Sequence, residues 1–232
     1  MSDASGANSG YGAPSGEGLT DLPGWFRALA GAAEHIAGED LSRFLPPDDG
    51  SGRQSAVLMA FADTHAGPSV LLIERAADMR KHAGQVAFPG GSLDPTDASF
   101  DAAALREAQE EVGLDPASVR IVADLPPIFI PVSGFVVTPV LAWWERPHEV
   151  RAVVAAEVAR VALVPIAELT EPGHRFRVTH PSGWLGPGFE VDDLFVWGFT
   201  AVLLDRLLEF GGWARPWDES VTRPMPEPVR HR

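Results

Sequence analysis

The stretch FPGGSLDPTDASFDAAALREAQEEVGLD, residues 88–115, joins a Pro-Gly-Gly turn to an amphipathic helix, and no other segment narrows the fold as much. Within it Ala104, Leu105, Ala108 and Val112 recur at helical spacing and form one apolar stripe. Gly113 supplies a C-terminal stop, with Pro116 shortly after. Such a stripe must be buried against another element. Strand candidates stand on both sides in sequence: SAVLMAFAD and VLLIER before it, VRIVADL, GFVVTPVLAWW and EVARVALVPI after it. The expectation is an α/β domain in which a mixed sheet is flanked by helices.

The end of that helix is poor design for stability. Glu107, Glu110 and Glu111 fall at i, i+3 and i+4, so their carboxylates share one face. Like charges at this spacing repel, and acids in a last turn oppose the helix dipole by roughly 0.3–1 kcal/mol each. One reading is a solvated acidic face that Arg106 screens. The other is a site where positive charge is supplied from outside. Ligands that are all oxygen suit Mg²⁺ or Mn²⁺ rather than zinc, and Gly90 and Gly91 would let a backbone carbonyl approach the ion.

Charge and composition exclude several function classes. A net charge of −14 argues against a nucleic-acid binder, and no apolar run approaches the length of a membrane span. The N-terminus lacks the basic start and apolar core of a secretory signal, and the absence of cysteine removes disulfides and thiolate chemistry. A cytoplasmic location is expected. The single lysine, Lys81, sits with Arg75 and Arg80 just before the acidic stretch, either as a solvated loop or as a local basic cluster for a polyanion.

Outside this centre, residues 1–20 read as a disordered tail and residues 213–232 as an extended or loose Pro-rich tail. LPGWFRALAGAAEHIAG reads as a short helix and HPSGWLGPG as a loop. A final helix is expected from about Leu194 to Phe210, with Asp205, Arg206 and Glu209 facing water.

The central stretch resembles the Nudix box, G-x5-E-x7-R-E-U-x-E-E-x-G-U with U aliphatic. Gly91 matches the first glycine, and Arg106 through Leu114 match the second half apart from alanine at the first U. The box glutamate position falls on Asp97, with eight rather than seven residues before Arg106, so Asp97 and Asp94 are rival partners for that arginine. The resemblance implies an α/β/α sandwich, with residues 21–212 as one Nudix hydrolase domain. It also implies metal-assisted water attack on a nucleoside-diphosphate derivative. Glu107, Glu110, Glu111 and the Gly90 carbonyl would hold the metal, with Arg106 in the catalytic set.

Upstream, LLIERAADMRKHAGQVAFPGG, residues 71–91, is similar to the additional signature of coenzyme A pyrophosphatases, except that Ile73 and Ala76 replace its Thr and Ser. That resemblance implies cleavage of coenzyme A to 4′-phosphopantetheine and 3′,5′-ADP, with Arg75, Arg80, Lys81 and Gly91 toward the substrate. The alternatives are another pyrophosphate such as NADH or ADP-ribose, or a non-catalytic Nudix-like binding domain. Among partners, a nucleotide-derived small molecule is expected, nucleic acid and membrane are not, and a homodimer stays open.

Overall fold

The computed structural model describes residues 19–77 and 82–226. Its strands are β1 (Arg53–Thr64), β2 (Gly67–Arg75), β3 (Val86–Ala87), β4 (Gly90–Ser92), β5 (Val119–Asp124) and β6 (Ile128–Ile130), then β7 (Phe135–Trp144), β8 (Val158–Pro165), β9 (Arg175–Thr179), β10 (Leu185–Val191), β11 (Leu194–Val196) and β12 (Thr222–Pro224). Its helices are α1 (Arg27–Ala32), α2 (Gly38–Leu41), α3 (Phe100–Val112), α4 (Ile166–Leu169) and α5 (Gly198–Phe210). Among the described residues the strands make two sheets. The first follows the path β3-β2-β1-β7-β5, with β4 on β1, β6 on β7 and β8 on β2; the second runs β11-β10-β9-β12. Only β1 and β7 pair in parallel within the first sheet, which is therefore mixed.

Because both faces of β1 are covered, its sequence is an almost unbroken apolar run rather than an alternation. Ala56, Leu58, Ala60 and Ala62 face α3, where Ala103, Ala104, Ala108 and Val112 receive them. Small residues on both partners let helix and sheet approach closely. Met59 and Phe61 face the other way, into a core shared with Phe26 and Leu29 of the N-terminal region and Leu203, Leu204 and Leu207 of α5. The expected mixed sheet between helical layers is thus present. α3 starts at Ser99, whose hydroxyl accepts the Ala102 N–H, and ends at Gly113 in the left-handed region with φ 72°.

Four expectations need correction. The C-terminal helix does not begin at Leu194. Leu194–Val196 is β11, joined to β10 by Asp192 and Asp193, both at positive φ (49° and 64°), as a two-residue hairpin turn requires. The segment read as a loop before it runs into β10, which begins at Leu185. Nor does Asp205 face water; it pairs with the buried Arg175 of β9, while Arg206 and Glu209 do pair on the surface. The N-terminal segment is two short helices rather than one.

Part of the C-terminal stretch is also fixed, not loose. Trp213 Nε1–H donates to the Trp25 carbonyl at 3.2 Å, Trp217 lies against the Arg175 guanidinium, and β12 pairs in parallel with β9. Prolines mask this in the sequence because they read as breakers, yet Pro224 ends an edge strand, where a missing N–H is tolerated. Residues 1–18 of the expected N-terminal tail and residues 227–232 lie outside the described residues.

Candidate active site

The turn from Phe88 to Ser92 brings the sheet to the acidic face of α3. β4 pairs with β1 so tightly at Gly90 that a Cβ there would lie 2.3 Å from the Ala56 carbonyl oxygen. At Gly91 a Cβ would lie 2.4 Å from the Glu107 carboxyl carbon. These two glycines therefore do different work. Gly90 permits the strand pairing, and Gly91 leaves room for a carboxylate.

Glu111 is the most constrained acid of the three. Its side chain is only 3% exposed, its Oε2 accepts the Gly90 N–H at 3.0 Å, and its Oε1 lies 3.6 Å from Arg75 Nη1. Burial pushes its pKa up to about 7, and the neighbouring charges of Glu107 and Glu157 push the same way against Gly90 and Arg75. Glu157 immediately precedes β8, and its carbonyl accepts the Ala76 N–H at 2.8 Å.

Arg106 organises the rest. Its Nε and Nη2 make a two-pronged contact to Asp97 at 3.0 and 2.8 Å, its Nη1 reaches Glu107 at 2.9 Å and Glu110 at 3.3 Å, and Nη2 also donates to the Ser92 carbonyl. Asp97 is thus the partner that the sequence left between two aspartates. Its pKa is lowered, first by the Arg106 hydrogen bonds, and that of Arg106 is raised, first by Asp97. Asp94 instead folds the turn, accepting from the Thr96 N–H and hydroxyl. The extra residue in the spacing is taken up in this loop, where the Asp97 N–H donates to the Asp94 carbonyl.

The expected residues are therefore distributed as follows. Glu107 and Glu111 meet at the Gly90–Gly91 turn, whereas Glu110 is 58% exposed and leans toward Arg106. As the side chains stand, no three acids or imidazoles among the described residues gather as a ready cation cage. Arg75 is turned to Glu111, a partnership invisible in sequence because it crosses from β2 to α3. Arg80 and Lys81 lie outside the described residues.

The NUDIX domain matches residues 52–181. The chain belongs to the Nudix family. Among its Nudix relatives is a protein named Nudix hydrolase NudL from Cronobacter sakazakii, 45% identical over 164 residues, covering 67% of this chain and 81% of the relative. The protein of the same name from Salmonella paratyphi B is 43% identical over 166 residues, with the same shares covered. Among solved structures, a Nudix hydrolase from M. smegmatis, RenU, aligns with TM-score 0.47 at 21% identity, over 69% of this chain and 86% of that one. Family and fold agree with the α/β reading of the sequence, and the protein is a Nudix hydrolase. No helix among the described residues is long and apolar enough to cross a membrane.

Proposed function

We propose that this Nudix hydrolase cleaves the pyrophosphate of coenzyme A or its derivatives, releasing 4′-phosphopantetheine and 3′,5′-ADP. The observation that carries the reading is the signature over residues 71–91, whose Arg75 stands beside the buried Glu111. The two departures from the signature do not count against it. Ile73 and Ala76 are both buried, at 0% and 7% exposure, so they alter packing rather than a surface that meets substrate.

The donor set fits a hard divalent cation, Mg²⁺ or Mn²⁺. The Glu107 carboxylate lies against Gly91 and the Glu111 carboxylate accepts the Gly90 N–H, so both reach the same glycine turn, and Glu111 carries a raised pKa that positive charge would relieve. Glu107 and Glu111 would hold the ion, with Glu110 and the Gly90 carbonyl completing the set. Bound there, a cation offsets charge developing on the phosphates and makes an attacking water more acidic. Glu107 would take a proton from the attacking water in this reading; Arg106, anchored by Asp97, donates to its Oε1 at 2.9 Å and so fixes its orientation. Arg75 pairs with Glu111 and, being 21% exposed, would also offer its guanidinium to the substrate phosphates. Arg80 and Lys81 belong to the same phosphate-binding proposal, as does a cytoplasmic location.

The test is incubation with coenzyme A, acyl-coenzyme A, NADH and ADP-ribose, each with Mg²⁺ and with Mn²⁺, products identified by mass. Release of 3′,5′-ADP from coenzyme A is the expected result. Its absence under both metals overturns the assignment. Cleavage of NADH or ADP-ribose instead would identify the other pyrophosphatase class, and no cleavage of any substrate the non-catalytic one.

A further inference from the structure

Beyond the glutamates, where β1 and β4 run out at the same end of the sheet, there is a cleft of ≈ 400 Å³. It is shallow and open to solvent, a ledge that could receive one face of a ligand rather than enclose it. Leu93 and Pro95 give it apolar surface, while Arg53, Gln54 and Asp94 supply polar groups. Ser92 also lines it, and the Ser92 carbonyl accepts from Arg106 Nη2 at 3.2 Å. The cleft therefore adjoins the carboxylate cluster. From Gly91, which seats Glu107, to Leu93 the strand advances roughly 7 Å. A nucleotide spans a comparable gap between its 5′-phosphate and its base.

Arg53 is the informative residue in this cleft. Its guanidinium lies 4.1 Å from the centroid of the Phe135 ring, and Nη2 is anchored on the Ser133 carbonyl at 3.1 Å. The guanidinium thus rests on the Phe135 ring, yet the side chain is exposed and makes no ion pair among the described residues. A planar cation fixed this way is a stacking platform for a base, since guanidinium planes receive π-faces as aromatic rings do. Polar edges are at hand as well. A glutamine amide can pair with the N6/N7 edge of adenine. Asp94 spends Oδ1 on Thr96 and makes no hydrogen bond through Oδ2 among the described residues, so that oxygen is free to accept from a ribose hydroxyl or an exocyclic amine.

We propose that this cleft is the nucleobase subsite, in which a purine stacks on the outer face of the Arg53 guanidinium beside Gln54 and Asp94. The inference rests on the reading of the neighbouring cluster as a pyrophosphatase for nucleoside-diphosphate derivatives. Its test is calorimetric titration of the full-length protein with 5′-AMP, alongside Arg53→Ala and Arg53→Lys. Wild type should bind, and both variants should bind about tenfold more weakly, because lysine keeps the charge without the plane. The KM for coenzyme A should rise by a similar factor in both. Failure of wild type to bind AMP, unchanged AMP affinity in Arg53→Ala, or recovery in Arg53→Lys would each overturn the subsite. The two readings fail separately. If coenzyme A is not cleaved but AMP binding still drops in both variants, the subsite stands and the coenzyme A assignment falls. If coenzyme A is cleaved and its KM is unmoved in Arg53→Ala, only the subsite falls.

Discussion

Replacing Glu111 by glutamine should disable the enzyme and stabilise its metal-free fold, but only at high pH. The side chain is 3% exposed, and burial raises its ionisation from the usual 4.5 to about 7. A carboxyl raised in the folded state stabilises fully below its unfolded pKa, and that stability is lost as pH rises toward the folded value. A displacement from 4.5 to about 7 corresponds to about 3 kcal/mol in the ionised state. Glutamine is close in shape, and its side-chain oxygen can still accept the Gly90 N–H. Arg75 would lose its partner, yet at 21% exposure it reaches water, which limits the cost. Between pH 5 and pH 8 the stability of Glu111→Gln relative to wild type should therefore improve by about 2–3 kcal/mol. For a chain of this size that is a relative shift of roughly 5–10 °C in Tm. The assay is thermal or urea unfolding of both proteins in chelator at several pH values. Other titrating groups are common to both and cancel in the difference. A difference that stays flat with pH, or moves against the variant, would refute the account of Glu111 as a strained buried acid. Added Mn²⁺ should then raise the Tm of wild type and not of the variant, which reads the same site without turnover.

Gly90→Ala and Gly91→Ala should fail in different ways. The first drives a Cβ into the Ala56 backbone and should lower stability by at least about 2 kcal/mol, whereas the second displaces Glu107 and should cut turnover more than tenfold with little change in Tm. Asp97→Asn should cost about 2 kcal/mol by breaking the two-pronged Arg106 contact, while Asp94→Asn disturbs only the Thr96 turn; paired urea melts would separate them, and equal losses would contradict the Asp97 assignment. Asp124 faces Asp101 of α3, and burial together with that neighbour raises its pKa. By the same sign rule Asp124→Asn should stabilise the protein above neutral pH and have little effect at pH 5; a gain of equal size at both would refute it. Trp213→Ala should lower stability by about 3 kcal/mol because the ring closes the core against Trp25 and Phe61, and an unchanged melt would show that the C-terminal segment is dispensable.

The sequence by itself determined the centre of this protein. The stripe through Ala104, Ala108 and Val112 specified α3, Gly113 ended it, and the spacing of Glu107, Glu110 and Glu111 put three acids on one face. These are local properties, set by helical periodicity and by what a glycine can adopt. The apolar runs of β1, β2, β7 and β8 were legible for the same reason. What the tertiary structure decided depended on contacts between distant segments. Asp97 rather than Asp94 was selected for Arg106 by the path of a loop. Arg75 met Glu111 only because β2 and α3 converge on one turn. The hairpin of β10 and β11 hid inside an expected loop and helix, since Asp192 and Asp193 reveal a two-residue turn only when strands exist on both sides. The Arg53 cleft arises where the open ends of β1 and β4 meet Phe135 of β7. Local pattern fixes which elements form, and the packing of their faces fixes which side chains meet.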